Sequence, residues 1–388
     1  MKKKIFLKIK STLKSTYFWF FVILLFILIF VVADFFIGNI FYKNNDKIVK
    51  IEEKVEVPAP LVLDTVAYDK KMQELANNPK DPIVYETIKT IEKNSKGKNI
   101  TKITKVPVSP QPIINHLWPA KTTYPNIGAL LPSKRIVAFY GNLYSKNMGV
   151  LGQYSEDEML AKLDVEVKKW SAADPSTPVI PALHYIAVVA QGNAGPDGKY
   201  RARMPFTEID KVIKMAEKAK AIVFLDVQVG FSDLQTELPL LEKYLKMPQV
   251  HLGIDPEFSM KTGIRPGKVV GTVDASDINF AINYLAKIVK DNKLTPKIFI
   301  VHRYTQKMVT NYKDIKIVPE VQFVMDMDGW GDKDKKITTY KQFIYKEPVQ
   351  FTGFKLFYKN DLLEKGTVLL TPNELLKLNP RPSYIQYQ

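Results

Sequence analysis

From position 131 to its end, the sequence alternates short β-rich runs with amphipathic stretches of helical period. The predicted strands are 135–141, 178–190, 221–230, 250–258, 268–274, 297–305, 321–329 and 351–358. Helix patterns lie between most of them, the clearest at 155–173, 207–220 and 275–292. Eight strands with intervening helices in about 250 residues match a (β/α)8 barrel in count and length. The pattern therefore predicts a TIM-like α/β barrel over residues 131–388.

The stretch between the fourth and fifth predicted strands contains no clear helix, so we expect an irregular barrel. A doubly wound open sheet is the main rival for a chain of alternating strands and helices. That fold binds phosphate groups through a glycine-rich loop after a strand, and no such loop follows any strand here. Asp274 precedes the helix pattern at 275–292, and it is predicted to cap that helix.

The fourth predicted strand ends in HLGIDPEF, which places two acids one residue apart. Side chains alternate between the faces of a strand, so Asp255 and Glu257 are predicted to share one face, opposite Leu252 and Ile254. The apolar face suits the helix layer, and the acidic face suits the barrel mouth, where such barrels carry their chemistry. Stability alone does not favour this arrangement, because inward acids without partners are costly to bury.

The third and seventh predicted strands repeat this alternation. Asp226 and Gln228 share a face of the third strand, and Asp326 and Asp328 share a face of the seventh. The candidate catalytic acids are therefore Asp226, Asp255, Glu257, Asp326 and Asp328. Like charges close together raise one another's pKa, which can keep a carboxylic acid protonated near neutral pH.

Other strand ends supply candidate substrate-binding side chains. These are Tyr140, Asn142, Gln228, His302, Trp330, Lys355 and Tyr358. The three aromatic rings among them are suited to stack on sugar rings. Structural roles compete with a functional one at some positions: Lys355 could pair with one of the acids, Asp326 could hydrogen-bond a loop, and His184 is interpreted as a satisfied core histidine.

Glycoside hydrolysis requires two carboxyl groups across the scissile bond, one to protonate the leaving oxygen and one to attack or to position water. We therefore predict a glycoside hydrolase-like protein that acts on a cell-wall or surface glycan, with no cofactor and no metal. Two alternatives use the same residues. A metal-dependent phosphodiesterase would take the acids as oxygen ligands and His302 as a nitrogen ligand, although no motif such as H-E-x-x-H occurs. A non-catalytic glycan-binding barrel would keep the aromatic rings alone.

The D-x-E formed by Asp255 and Glu257 resembles the end of the corresponding strand in Chalaropsis-type lysozymes and, more loosely, in chitinase-like barrels. This resemblance implies that Glu257 is the general acid and that Asp255 supports the acetamido group or the intermediate. The fuller chitinase pattern has further acids upstream on this strand, where the present chain has His251 and Gly253. The barrel as a whole also resembles bacterial surface-anchored barrel proteins.

The N-terminal residues predict a membrane anchor. Residues 1–16 contain six lysines and no acid, and the seventeen residues that follow carry no charge. A span needs about 20 apolar residues, and lysines before it place the N-terminus in the cytoplasm. No small-residue cleavage site follows, which favours an uncleaved anchor over a signal peptide. We therefore predict a cytoplasmic tail (1–16), a transmembrane anchor (17–42) and a single-pass protein of the cell membrane whose C-terminal domain is extracytoplasmic.

Residues 43–130 are rich in lysine and interrupted by proline. This composition predicts an extracytoplasmic stalk or linker with little core of its own and one helix near 81–94. Its apolar pieces could instead pack on the barrel that follows.

Composition excludes several other classes. The chain contains no cysteine, so disulfides, cysteine–zinc sites and a lipid anchor on cysteine are excluded. The formal net charge is +16, but the basic residues form no stripe interleaved with aromatic residues. We therefore expect the membrane and a glycan as partners and no nucleic acid.

Overall fold

The computed structural model describes residues 62–80, 85–108 and 116–388. The predicted cytoplasmic tail, the anchor and the first part of the predicted stalk lie outside these residues. Within the described part, no helix is long and apolar enough to cross a membrane.

The described elements follow one another in this order along the chain. The strands are β1 (Tyr85–Lys93), β2 (Asn99–Pro107), β3 (Arg135–Gly141), β4 (Val179–Ala190), β5 (Arg201–Arg203), β6 (Ile222–Val227), β7 (Val250–Ile254), β8 (Val273–Asp274), β9 (Lys297–Arg303), β10 (Val309–Thr310), β11 (Val321–Met327), β12 (Phe351–Leu356) and β13 (Tyr384–Tyr387). The α-helices are α1 (Thr65–Ala76), α2 (Val150–Gln153), α3 (Glu156–Ala173), α4 (Phe206–Lys218), α5 (Leu234–Leu245), α6 (Ala275–Asn292), α7 (Lys333–Tyr340) and α8 (Pro372–Leu375).

Eight parallel strands form a closed barrel. Their order around the barrel is β3, β13, β12, β11, β9, β7, β6 and β4, and pairing of β3 with β4 closes the ring. The short strand β5 adds to the end of β4 in the antiparallel direction. The sequence prediction of a TIM-like α/β barrel is therefore confirmed.

One predicted barrel strand is wrong and another was missed. The run at 268–274 contributes only β8, which pairs with β10 outside the barrel. Val269 and Val270 in this run are exposed, so its β-branched residues lie on a surface loop. The missing barrel strand is β13 at the end of the chain, which pairs with both β12 and β3. This change explains why no helix was visible before the run: α6 is the helix that links β7 to β9.

The start of α6 confirms the predicted cap. The Asp274 side chain accepts a hydrogen bond from the backbone N–H of Ser276 at 3.0 Å, and Asp277 accepts one from the N–H of Asp274 at 2.8 Å. This reciprocal capping box supplies partners for N–H groups that a helix start otherwise leaves free.

Side chains on the two faces of the barrel strands differ in their surroundings. Outward residues such as Phe139, Leu225 and Phe323 are fully buried in one large apolar cluster with the surrounding helices. Inward residues near the strand starts, among them Ile298 and Phe351, form a second apolar cluster inside the barrel. The inward residues near the strand ends are mainly polar.

Helix α1 packs at the N-terminal end of the barrel, although it belongs to the predicted stalk. Its residues Tyr68, Met72 and Leu75 join the interior apolar cluster. The Leu75 carbonyl also accepts a hydrogen bond from the backbone N–H of Arg381 at 2.7 Å. This part of the predicted stalk therefore covers one end of the barrel.

The helix predicted near 81–94 is wrong over the residues that the structure describes there. Strands β1 and β2 instead form an antiparallel hairpin, with Tyr85 paired to Pro107 and Lys93 to Asn99. Every side chain of both strands is exposed. The β-branched threonine, isoleucine and valine residues of β2 favour this extended conformation.

The packing of α1 gives a prediction about stability. Leu75→Ala should lower the free energy of unfolding by about 2–5 kcal/mol, because it empties a buried site between α1 and the barrel. Val66 lies on the same helix and is 78% exposed, so Val66→Ala should change stability by less than about 0.5 kcal/mol. Urea unfolding monitored by tryptophan fluorescence measures both. Equal effects of the two changes would show that α1 does not pack on the barrel.

Candidate functional site

Three buried side chains meet inside the barrel, two of them, Asp226 and His302, one residue before the ends of their strands. His184 on β4, Asp226 on β6 and His302 on β9 have no exposed surface. The distance from Asp226 Oδ1 to His184 Nε2 is 3.4 Å, and that to His302 Nε2 is 3.8 Å. One potential metal-ligand atom from each residue lies within 4.8 Å of the other two. We call these three residues the His–Asp cluster.

Neighbouring side chains fix the orientation of each member of the His–Asp cluster. His184 Nδ1 lies 2.6 Å from the hydroxyl of Tyr384, and His302 Nδ1 lies 3.0 Å from Asp326 Oδ2. The Tyr140 hydroxyl donates a hydrogen bond to Asp226 Oδ2 at 2.9 Å. The second polar atom of each member is thereby directed toward the centre of the cluster.

Two glycines make room for this layer. A side chain at Gly253 would collide with His184 Nε2 and Asp226 Oδ1, and a side chain at Gly353 would collide with Asp326 Oδ1. Both glycines occupy inward positions of barrel strands, β7 and β12 respectively. Their lack of a side chain is therefore a requirement of the polar layer rather than of a turn.

A second group of charged residues lies above the cluster, at the mouth of the barrel. Asp255 and Asp328 are only 4% and 6% exposed, respectively. Lys355 Nζ lies 2.9 Å from Asp328 Oδ1, which confirms the ion pair that sequence alone left open for this lysine. Gln228 Nε2 donates to Asp255 Oδ2 at 3.3 Å. With Glu257, we call the two aspartates the mouth acids.

Glu257 reaches the mouth in a different way from that predicted by strand alternation. Strand β7 ends at Ile254, and Pro256–Phe258 form a 3₁₀ turn. Asp255 Oδ1 accepts the backbone N–H of Glu257 at 3.1 Å and so caps that turn. The alternation of side chains between the two strand faces therefore holds only as far as Asp255. The turn brings Glu257 to a half-buried position beside Asp328 and within hydrogen-bonding reach of Tyr304.

Burial dominates the acid–base properties of the site. It raises the pKa of Asp255, Asp326, Asp328 and Glu257, because each charged form loses water. The neighbouring charge of Asp328 raises the pKa of Glu257 further, whereas Lys355 opposes the shift at Asp328. Burial lowers the pKa of His302, which favours a neutral imidazole.

The structure thus brings the five predicted acids together around one interior, with Gln228, His302 and Lys355 among them.

Three other predicted substrate-binding residues have surroundings that differ from the prediction. Asn142 ties its own loop to β4: its side chain donates to the Ile186 carbonyl at 3.0 Å and accepts the backbone N–H of Tyr144 at 2.8 Å. Tyr358 lies between the barrel and the helices, stacked on Tyr387 with 5.3 Å between ring centroids. Tyr140 lies within the site, hydrogen-bonded to Asp226, but its ring is buried under Lys355 and offers no face for stacking. Trp330, in contrast, is 50% exposed, and the Lys335 ammonium lies over one face of its ring, 4.8 Å from the centroid.

Sequence reasoning missed several contributors to the site. His184, interpreted as a satisfied core histidine, is fully buried with Nδ1 beside the Tyr384 hydroxyl, and sequence reasoning did not place its Nε2 next to Asp226. Tyr384 and Gln386 lie on β13, which was not predicted as a strand. The alternating sequence YIQY at 384–387 was the available signal, because it places one polar face and one apolar face on a short strand.

Comparisons with known proteins give a limited result. No protein-family model matches the chain, and no curated protein matches it. Among solved structures, the Cel5A endoglucanase of Thermotoga maritima, determined with cellobiose, is 12% identical with a TM-score of 0.36, over 65% of this chain and 88% of that one. A GH5-4 endoglucanase from an uncultured bovine rumen ciliate is 8% identical with a TM-score of 0.31, over 53% and 72%. A radical SAM methyltransferase from Sphaerobacter thermophilus is 10% identical with a TM-score of 0.27, over 76% and 82%.

What the structure itself shows is an eight-stranded parallel α/β barrel with a polar interior at the C-terminal ends of its strands.

Proposed function

We propose that the barrel hydrolyses a cell-wall or surface glycan, with Glu257 as the general acid. The observation that carries this proposal is the convergence of the three mouth acids above a buried polar layer. Glu257 is the most exposed of the three, so a substrate at the mouth reaches its carboxyl group first. Burial and Asp328 both favour its protonated form, which is the form that a general acid requires.

The other mouth acids have surroundings that suit different roles. Lys355 holds Asp328 in an ion pair and opposes the rise in its pKa caused by burial, which supports the carboxylate form that attacks the sugar or activates water. Asp255 caps the turn that carries Glu257 and is oriented by Gln228, so it acts by positioning the acid. Trp330 offers an exposed ring on which a sugar can stack.

In the proposed reaction, the Glu257 carboxyl group donates its proton to the glycosidic oxygen as the bond to the anomeric carbon breaks. The Asp328 carboxylate either bonds to that carbon or takes a proton from the water that does so. The separation of the two carboxyl groups in the substrate complex determines which of these occurs.

Glu257→Gln keeps the size of the side chain and removes the donated proton. We expect turnover on the susceptible glycan to fall about 10²–10⁴-fold, which is the usual contribution of general acid catalysis. Glu158→Gln on the exposed side of α3 is the matched control and should leave turnover unchanged. Release of reducing ends from purified cell-wall glycans measures both.

Thermal stability separates a lost proton donor from a damaged fold. The pKa of Glu257 is raised in the folded state, so its contribution to stability declines as pH rises above the ordinary glutamate value of about 4.3. Glu257→Gln should therefore match the wild type near pH 4 and be equally or more stable at pH 7.

Activity that survives the substitution would contradict the assignment of Glu257 and make Asp328 the next candidate. A wild type inactive on every cell-wall glycan would favour a non-catalytic glycan-binding barrel instead.

We also propose that residues 17–42 anchor the protein in the cell membrane, with the barrel on the extracytoplasmic side. The uncharged run preceded only by lysines supports this location. Deletion of residues 1–42 should move the protein from the membrane fraction to the soluble fraction of a cell lysate. If the truncated protein still sediments with membranes in high salt, this segment is not the sole anchor.

A further inference from the structure

We propose that His184, Asp226 and His302 bind a divalent first-row transition-metal ion of the zinc type inside the barrel, below the mouth acids. The proposal does not depend on the glycan hydrolase assignment. It adds a bound ion to a region that the acid–base chemistry of Glu257 does not use.

The first support is a set of unsatisfied atoms. His184 Nε2, Asp226 Oδ1 and His302 Nε2 are buried and have no hydrogen-bond partner among the described residues. Buried polar atoms without partners are rare in native proteins, because each costs the free energy of its desolvation. Here three of them face one another at 3.4 and 3.8 Å around Asp226 Oδ1. One ion between them would supply a partner for all three.

The protonation of His302 follows from its contact with Asp326. With Asp326 ionised, its carboxylate only accepts hydrogen bonds, and the 3.0 Å contact with Asp326 Oδ2 then places the proton on His302 Nδ1. The neutral imidazole then carries a lone pair on Nε2, directed toward Asp226 Oδ1. Two acceptors facing each other repel, and a cation between them reverses this interaction. Contact of a ligating histidine with a carboxylate through its other nitrogen is also the usual support for a metal site.

The surroundings of His184 are compatible with the same protonation state. Its Nδ1 lies 2.6 Å from the Tyr384 hydroxyl and 3.1 Å from the terminal amide of Gln386. The amide oxygen of Gln386 is without a partner, and a half-turn of the amide exchanges its oxygen and nitrogen. In that orientation the Gln386 oxygen accepts from both Tyr384 and His184 Nδ1–H. The lone pair of His184 Nε2 is then free for the ion.

Charge favours a cation at this position. The inward acids Asp226, Asp255, Asp326 and Asp328 are all buried, and Lys355 is the lysine paired with them inside the barrel. A dication beside Asp226 reduces this excess of negative charge where water cannot.

The donor set selects the kind of ion. Two imidazole nitrogens and one carboxylate oxygen suit zinc and its transition-metal neighbours, whereas magnesium and calcium prefer oxygen ligands. Bonds of about 2.0–2.2 Å to a common ion place the ligand atoms roughly 3–4 Å apart. The distances from Asp226 Oδ1 to His184 Nε2 and His302 Nε2, 3.4 and 3.8 Å, lie in this range. Three protein ligands also leave a coordination position for water or another group.

The test uses the full-length chain in a mild detergent, stripped with a chelator and then titrated with Zn²⁺ under calorimetry. We expect the wild type to bind one equivalent with a rise in melting temperature, and Co²⁺ to give a visible absorption band. Asp226→Asn and His302→Gln should weaken zinc binding by more than about 100-fold. Asp326→Asn should weaken it about 10–100-fold, because it only orients His302.

His251→Gln is the matched control. His251 is also buried and also faces the barrel interior, but its Nδ1 already accepts the backbone N–H of Ile298 at 3.1 Å. This variant should bind zinc as the wild type does.

A wild type that binds no zinc, or zinc binding that persists equally in Asp226→Asn and His302→Gln, would overturn the proposal. If either ligand variant fails to fold, the stoichiometry and the cobalt spectrum of the wild type decide, since a wild type without both contradicts the site. Binding of Mg²⁺ in preference to Zn²⁺ would contradict the donor assignment.

Discussion

Backbone hydrogen bonds between β13 and β3 close the sheet into a barrel, with Tyr384 paired to Ile136 and Tyr387 to Phe139. Closure gives every strand one face toward the helices and one face toward a narrow interior. Inward side chains must therefore find their partners within the barrel. In the N-terminal half they are mainly apolar, with His251 and Gln322 as exceptions, and α1 covers this end. In the C-terminal half they are histidines, acids and amides, which only a closed barrel can hold so close together.

The buried polar side chains of the C-terminal half lower the stability of the barrel. Burial opposes the charged forms of Asp255 and Asp326, and Asp226 Oδ1 and Asp326 Oδ1 have no hydrogen-bond partner among the described residues. Gly253 and Gly353 leave out the side chains that would fill the same space with apolar atoms. Such a departure from the most stable packing is expected at functional sites. The proposed metal ion lies in the His–Asp cluster, and the proposed acid chemistry takes place above it, at the mouth of the barrel.

Much of this arrangement could be predicted from the sequence. The alternation of apolar and acidic residues on the strands indicated which side chains face inward, and the capping residues of α6 marked a helix start correctly. The failures have physical causes. The run at 268–274 has β-branched residues but pairs outside the barrel, and β13 is only four residues long. Glu257 follows a proline that ends the strand. The partner of His184 could not be predicted, because Tyr384 lies 200 residues away in the chain.

The central claim is that the buried His–Asp cluster is built to hold a ligand and does not serve the stability of the barrel. The most direct measurement is X-ray diffraction from crystals grown with zinc, with data collected on both sides of the zinc absorption edge. The account predicts an anomalous peak about 2.0–2.2 Å from His184 Nε2, Asp226 Oδ1 and His302 Nε2. It would be contradicted by a map with no anomalous peak there and with ordered water hydrogen-bonded to all three atoms.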